Sequence, residues 1–466
     1  MTIAFGTDGW RAVIADGYTV ANVERVAQAL ATYIADVAPG VPVLVGYDRR
    51  FMSEVFAERA AGVLAGNGLP VELFDRSTPT PVVSYQIAEA NIPFGVVITA
   101  SHNPATHNGF KIKELPGRSA NPATIREIEA RIDRTPVATP AFTNVRRVTP
   151  GDGYDRAIAR VVDLDAVRSA DVTIVADAIH GAAGDAVARL LAGGSMPSVR
   201  VVTIRSERDP YFGGVNPEPI PQNIGALSDA VRSEGALLGI ANDGDADRLG
   251  AVDENGRFLT SQMVLAILIL HLAERRGERG SVIKTVSQSR VIDRMAAEFG
   301  LEVRETPIGF KYIADEICRG GVLIGGEESG GFGFRGFVPE RDGVLSGLML
   351  AEAVLASSET PSQLVAHIQK RFGPLFYDRR DLRVAPATGL PLVASFAANP
   401  PTMLASSRVV DVVTLDGTKF VLDDESWLLL RQSGTEPVLR VYSEATSEAK
   451  RDALLEAGVA MASERR

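Results

Sequence analysis

Residues 94–104 read Phe-Gly-Val-Val-Ile-Thr-Ala-Ser-His-Asn-Pro, and residues 237–248 read Leu-Leu-Gly-Ile-Ala-Asn-Asp-Gly-Asp-Ala-Asp-Arg. In each, an apolar run of strand length breaks into a polar loop, the pattern of a buried strand that delivers side chains at its end. The first loop presents Ser101. The second presents Asp243, Asp245 and Asp247, hard oxygen ligands that can converge on Mg2+. A serine beside a carboxylate-bound metal points to phosphate chemistry.

Working outward, Val23, Val26, Ala27, Leu30 and Ile34 recur at helical spacing, and Val41 to Val45 form an apolar strand that ends at Gly46-Tyr47-Asp48-Arg49-Arg50. This alternation of helix and strand predicts an α/β layer with functional loops at strand ends. Asp171 to Asp177, followed by Gly181-Ala182-Ala183-Gly184, starts the pattern again, and Ser281 to Ser287 starts it a third time. Prolines gather between Gly373 and Pro401, as in a linker or edge-strand region. Beyond them Val409 to Val413, a turn at Asp416-Gly417 and Trp427 to Leu430 read as antiparallel strands, and Ser447 begins a final helix. The expected organisation is three α/β domains with mixed sheets, over 1–149, 150–256 and 257–373, then a smaller α+β domain over 374–466, all around a central cleft.

The chain has 466 residues, 45% hydrophobic and 23% charged, ordinary values for a soluble globular protein. Its 48 basic and 58 acidic residues give a net charge of -10, with the basic residues dispersed, which argues against a nucleic-acid surface. Cys318 is the only cysteine, so no intramolecular disulfide forms, and a buried structural thiol is its expected role. The N-terminus lacks the pattern of a signal peptide. The longest apolar stretch, Met263 to Leu270, falls far short of the roughly 20 residues a membrane helix needs. A cytoplasmic enzyme, monomeric or homodimeric and without membrane or nucleic-acid partners, fits these features.

A serine hydroxyl needs a base or a metal to act as a nucleophile, and His102 is not assigned that task because consecutive side chains in extended structure diverge. No Gly-x-Ser-x-Gly elbow surrounds Ser101, which weakens an esterase reading. Counting from Asp243, the aspartates also match early positions of an EF-hand. Arg248, however, sits where that loop needs glycine, and a strand and a hairpin at Asn255-Gly256 replace its helices. Three carboxylates this close repel one another, and a divalent cation is the simplest compensation. Further along, Arg431-Gln432-Ser433-Gly434-Thr435-Glu436-Pro437 offers an arginine fork, hydroxyls and backbone amides suited to a phosphate dianion. Gly325 to Gly331, reading Gly-Gly-Glu-Glu-Ser-Gly-Gly, could pair with sugar hydroxyls.

The order of these motifs resembles that of the α-D-phosphohexomutase superfamily, the phosphoglucomutases and phosphomannomutases, over essentially the whole chain. The matching stretches are Phe5 to Arg11, Gly46 to Arg50, Thr99 to Pro104 with Asn108 to Lys111, Asp243 to Arg248, Thr306 to Lys311, Gly326 to Ser329, and Arg431 to Pro437. The resemblance implies that Ser101 is carried as a phosphoserine and that Asp243, Asp245 and Asp247, with a phosphoryl oxygen on Ser101, coordinate one Mg2+. Phosphoserine then donates to a sugar monophosphate, a bisphosphate such as glucose 1,6-bisphosphate turns over in the cleft, and its other phosphate returns to Ser101.

The resemblance further implies that Arg11 and Arg248 offset charge, that Lys111 is a general acid/base, and that His102 supports the serine loop. Glu327 and Ser329 hold sugar hydroxyls; Arg431, Ser433 and Thr435 hold the non-reacting phosphate. Gly309, Lys311, Arg341, Gly434 and Arg440 complete the substrate contacts. Gly331 stands where many dual-specificity phosphomannomutases have histidine, and Thr306-Pro307-Ile308-Gly309-Phe310-Lys311 resembles the phosphoglucomutase version of its loop. Glucose 1-phosphate and glucose 6-phosphate are therefore the expected pair, with mannose or glucosamine phosphates as alternatives. A non-catalytic sugar-phosphate-binding protein and a metal-dependent phosphatase are the competing classes.

Overall fold

The computed structural model describes residues 3–6, 8–193, 197–434 and 437–464. Three mixed sheets flanked by helices are followed by an antiparallel C-terminal sheet. In the first sheet Phe94–Ile98, Val43–Tyr47, Val71–Phe74 and Val145–Val148 run parallel, His107–Glu114 adds antiparallel beside Phe94–Ile98, and Trp10–Val13 pairs antiparallel with His107–Glu114 in turn. The central parallel strands are apolar because helices cover both faces. One of these helices, Val20–Val37, starts where the Thr19 side chain accepts from the Asn22 N–H, and it buries Val23, Val26, Ala27, Leu30 and Ile34.

The second sheet repeats the plan with Leu238–Asn242, Thr173–Asp177 and Arg200–Ile204 parallel and Leu249–Val252 antiparallel at one side. The third does so with Val322–Gly326, Ser281–Thr285 and Val303–Thr306 parallel and Phe332–Phe334 antiparallel. The consequence for function is topological. The serine loop, the aspartate loop and the Glu327 loop each join the last parallel strand of a sheet to its antiparallel neighbour. In the fourth sheet, which is antiparallel throughout, the loop after Arg431 likewise joins Trp427–Gln432 to Val438–Ala445.

The second and third sheets share one apolar core. Ile174 and Ile240 of one and Val282 and Ile324 of the other lie in a single buried cluster with the helices Ser261–Leu270 and Gly343–Ser357. The stretch Met263 to Leu270 is thus a core helix, and among the described residues no helix is long and apolar enough to cross a membrane. The C-terminal sheet keeps a separate cluster around Leu428, Leu430, Val441 and Leu455.

Of the two readings of the proline-rich segment after Gly373, the edge strand holds and the linker does not: Phe376–Arg383 is the edge strand of the fourth sheet, paired along its length with Val438–Ala445, and the helix Pro386–Ala398 follows it. Pro386 occupies the first turn of that helix, where a missing N–H costs nothing. Cys318 is exposed rather than buried: it lies one turn beyond Ala314, next to the last residue of the helix Phe310–Arg319, at the margin of the buried face of Phe310, Ile313 and Ala314.

Leu265 is fully buried in the shared core. Leu265→Ala is expected to destabilise the protein by about 2–5 kcal/mol through lost burial and a residual cavity. A denaturant melt followed by amide hydrogen exchange of the two sheets should show one lowered midpoint for the second and third units together.

Candidate active site

Ser101 sits fully buried at the turn after Phe94–Ile98 with φ of 52°, a left-handed conformation rare outside glycine. Its backbone is held from beneath. The guanidinium of Arg50, wholly buried, donates to the carbonyls of Ser101 (2.5 Å), Asn103 (2.6 Å), Pro104 (2.8 Å) and His107 (3.1 Å). Its Nε lies 3.2 Å from Asp48. Asp48 also accepts from the hydroxyls of Ser53 (2.6 Å) and Thr99 (2.7 Å), and Thr99 Oγ1 accepts from the Ser101 N–H (2.9 Å). A strained serine is thereby pinned by a charged, densely bonded cradle.

The Ser101 hydroxyl donates to Asp243 Oδ2 at 2.8 Å, across the boundary between the first and second sheets. Asp243, Asp245 and Asp247 are all completely buried, and one ligand atom from each falls within 4.8 Å of the others. Burial pushes the Asp243 carboxyl well above its usual range, reinforced by Asp247 and Asp245. Asp243 Oδ1 accepts from the Arg248 N–H (3.0 Å), and Asp245 Oδ2 accepts from Thr80 (2.7 Å). Asp245 Oδ1 and Asp247 Oδ1 are buried with no hydrogen-bond partner. Unpaired buried carboxylate oxygens beside a third carboxylate and a serine are the donor set a hard divalent cation takes, so the residues fit Mg2+.

Cations from two other sheets close the cluster. Lys111 Nζ donates to Asp245 Oδ2 (2.8 Å) and Asp247 Oδ2 (3.0 Å) and lies 3.0 Å from Asp8. Burial works against its charge, but Asp245, Asp247 and Asp8 outweigh it and raise its pKa. Arg341 pairs through Nε with Asp247 (2.9 Å), through Nη1 with Glu327 (3.3 Å), and through Nη2 with Asp8. Burial pushes the Glu327 carboxyl up to about 7 despite the neighbouring Arg341. Arg11 donates to Asn103 Oδ1 (2.7 Å), and Arg248 lies near Glu218 (3.6 Å) and Asp247 (3.9 Å).

His102 Nδ1 is 3.4 Å from Ser101 Oγ, so the two side chains do not diverge as extended backbone would require; the left-handed turn at Ser101 brings them together. Burial, with Arg248 and Arg11 nearby, lowers the His102 pKa well below its usual value.

The other loops line the same side. Gly309, with φ of 131°, caps the helix Phe310–Arg319, and half-buried Lys311 lies over the Tyr312 ring at 5.1 Å. Ser329 is half-buried beside Glu327. In the fourth sheet Arg431 Nε donates to Asp416 (2.8 Å), the Ser433 N–H donates to Val438 O (2.8 Å), and Gly434 is exposed at the loop tip. Arg440 lies 3.8 Å from Asp381. Thr435 lies outside the described residues.

Sequence reasoning assigns no role to Asp8, Asp48, Arg50 or Thr80. The first three fall inside the family-like stretches, which is the available signal; Thr80 carries none, because only folding brings it to Asp245. Gly9 explains part of the first stretch: at φ of 113° a Cβ there would meet Phe110 O at 2.8 Å, so glycine lets Asp8 approach Lys111.

Buried carboxylates with free oxygens, an adjoining serine and surrounding cations make up a phosphoryl-transfer site. Family models agree with this class. Phosphoglucomutase/phosphomannomutase α/β/α domains I, II and III match residues 2–137, 152–256 and 260–372, and the C-terminal domain matches 392–460. The chain belongs to the phosphoglucomutase/phosphomannomutase family, within the α-D-phosphohexomutase superfamily, and is an isomerase-class phosphotransferase.

It is 31% identical to a phosphoglucomutase/phosphomannomutase of Thermococcus kodakarensis, over 99% of this chain and 98% of that one. It is also 31% identical to a phosphoglucosamine mutase of Mycobacterium ulcerans, over 95% of each. A crystal structure from Thermus thermophilus, provisionally a phosphomannomutase, superposes with a TM-score of 0.87 over 99% of both chains at 33% identity.

Removing Arg50 leaves Asp48 buried without its cation, so Arg50→Ala is expected to cost about 3–5 kcal/mol of stability. Arg50→Lys keeps the charge but not the fork. It should retain most of the melting temperature while kcat falls by roughly a hundredfold, as expected for a displaced reacting group. A lysine variant with wild-type kcat would show that the cradle does not position Ser101.

Proposed function

We propose that the protein reversibly moves a phosphoryl group between the 1- and 6-oxygens of a hexose phosphate, with Ser101 as the carrier. The observation that supports this most directly is the Ser101 hydroxyl bonded to Asp243 inside a carboxylate cluster whose remaining oxygens suit a cation. Asp243, Asp245 and Asp247 would hold Mg2+, which when bound supplies charge neutralisation to the transferring phosphoryl group.

The chain's own residues do the rest. Arg50 and Asp48 orient Ser101, while Arg11 and Arg248 face the serine loop and offset negative charge. Lys111 keeps Asp245 and Asp247 in register and is the proposed proton exchanger at the reacting hydroxyl. Glu327 and Ser329 recognise ring hydroxyls. Arg431 and the loop after it hold the phosphate that is not reacting, which lets the sugar bind in either orientation.

For the sugar itself, the names of similar relatives, mostly phosphoglucosamine mutase, favour glucosamine phosphate over the glucose phosphate expected from the loops. The glucose reading keeps the support of Glu327-Glu328-Ser329 and Ile308-Gly309-Phe310-Lys311. Side-by-side kcat/KM values for glucosamine, glucose and mannose 1-phosphates decide between them. The amino sugar is expected to lead, and release of inorganic phosphate from all three would instead indicate a phosphatase.

Ser101→Ala should lose turnover by several kcal/mol of barrier while keeping its melting temperature, since a loop hydroxyl contributes little packing. Intact-mass spectra should show a phosphate on the wild type and none on the variant. Turnover without Ser101 would end the carrier mechanism.

Asp245→Asn removes an anionic ligand, so Mg2+ affinity and rate should fall together and excess Mg2+ should restore part of the rate. Calorimetric titration of Mg2+ into the chelated protein measures the affinity without relying on turnover. Unchanged Mg2+ affinity in the variant would make the triad structural.

A further inference from the structure

Asp416 lies in the turn between Ser407–Val413 and Thr418–Leu422, at the edge of the C-terminal sheet. The turn is built tightly against Arg431. Gly417, with φ of 95°, comes so close that a Cβ there would meet Leu430 O at 2.4 Å and the Arg431 Cβ at 3.0 Å. Glycine at 417 therefore permits the approach that brings the Asp416 carboxylate to the Arg431 side chain.

One carboxylate oxygen then does two things. Asp416 Oδ2 accepts from Arg431 Nε at 2.8 Å and from the Ile308 N–H at 2.9 Å. Ile308 belongs to the loop Thr306 to Lys311 of the third unit, directly before Gly309 and the helix that carries Lys311. Holding Arg431 by Nε fixes the plane of its guanidinium and leaves the two terminal nitrogens without a protein partner among the described residues. That is the edge able to take two oxygens of a phosphate side by side. Arg431 is only 11% exposed, so an arginine without this partner would have several packed alternatives but no fixed aim.

We propose that Asp416 is a positioning residue for substrate phosphate: it aims Arg431 and, through Ile308, sets that aim relative to the sugar-recognition loop of the third unit. The inference rests on the reading of Arg431 as the grip on the non-reacting phosphate. Because the bond to Ile308 crosses from one unit to the other, Asp416 determines the spacing between the phosphate grip and the ring-recognising loops, and hence the length of sugar phosphate the cleft accepts. Its effect should be the same in both substrate orientations, since Arg431 serves both.

The test is a double-mutant cycle on steady-state kinetics with the 1-phosphate and the 6-phosphate of the preferred sugar. Arg431→Ala and Asp416→Ala are each expected to raise KM in both directions, the aspartate variant by about tenfold, the scale of one charge-assisted bond. The double variant should be no worse than Arg431→Ala alone, because Asp416 acts through Arg431. Asp416→Asn keeps an acceptor for the Ile308 N–H but loses the charge facing Arg431. It should fall between wild type and alanine, and it carries the test if the alanine variant melts early.

An unchanged KM in both Asp416 variants, with Arg431→Ala impaired, overturns the role of Asp416 alone. Additive losses in the double variant overturn it as well, since they assign Asp416 an effect independent of Arg431. An Arg431→Ala enzyme with wild-type KM overturns the phosphate site itself, and the inference with it.

Discussion

Asp247 is gripped from two sides by cations that belong to other units of the chain: Lys111 from the first and Arg341 from the third. The same two cations meet again at Asp8, and Arg341 reaches on to Glu327. All of these groups except Asp8 are at most a few per cent exposed. Buried ion pairs contribute little net stability, because desolvation offsets the attraction, but removing one member leaves a charge stranded. What the network supplies is a tie between three sheets, since its carboxylates and cations come from separate units. The second and third units are further merged by their common apolar core, while the first is joined to them through this polar seam, the bond from Ser101 to Asp243, and the packing of Val82 and Tyr85 against that core.

That seam lies where it does because of topology. In each of the first three sheets the chain leaves a parallel strand and returns antiparallel beside it, and the intervening loop emerges at the same end of the sheet. Serine, aspartates and glutamate are thus three uses of one structural position. Backbone bonds weld the loops together: the Thr80 N–H donates to Asp245 O (2.9 Å), the Leu249 N–H to Gly330 O (2.8 Å), and the Gly343 N–H to Ala246 O (3.0 Å). A site assembled from turns in separate units needs such ties, since positioning within a fraction of an ångström decides how well oxygen ligands and a nucleophile meet.

Much of this is legible in the sequence where the chemistry is local. Ser101 and the aspartate triplet stand at the ends of apolar runs, and spacing alone puts three carboxylates in one loop. The interactions that couple the loops are not legible, because they join residues with no sequence relation. Thr80 to Asp245, Arg50 to four carbonyls around Ser101, and Arg341 to Asp8 exist only after folding. His102 departs from expectation for a related reason: the divergence argument assumes extended backbone, and Ser101 is left-handed. The proline-rich segment is legible only in part: its edge strand is anticipated but its helix is not, because proline counts do not register position, and Pro386 occupies that helix's first turn. Cys318 is expected inside on the general habit of free cysteines, whereas it stands at the end of its helix, at the margin of the buried face.

An acidic chain that binds an anionic substrate must separate its charges, and the arrangement shows how. The carboxylates are concentrated where a cation can join them, and Lys111 and Arg341 are ion-paired within that cluster. Three further arginines flank the cluster: Arg11 and Arg248 beside the serine loop, and Arg431 on the C-terminal sheet. Their environments differ accordingly. Arg11 is tied to Asn103, a neutral partner, with Asp8 farther away, while Arg431 is oriented by a single carboxylate oxygen. The serine loop is thus braced by Arg50 beneath it, and Arg431 is held by one carboxylate oxygen that also accepts from the Ile308 N–H. In the proposed reading, a substrate that reverses its orientation between half-reactions suits this division: chemistry stays at the braced serine end, while Arg431 grips the other phosphate and Glu327 and Ser329 meet the ring.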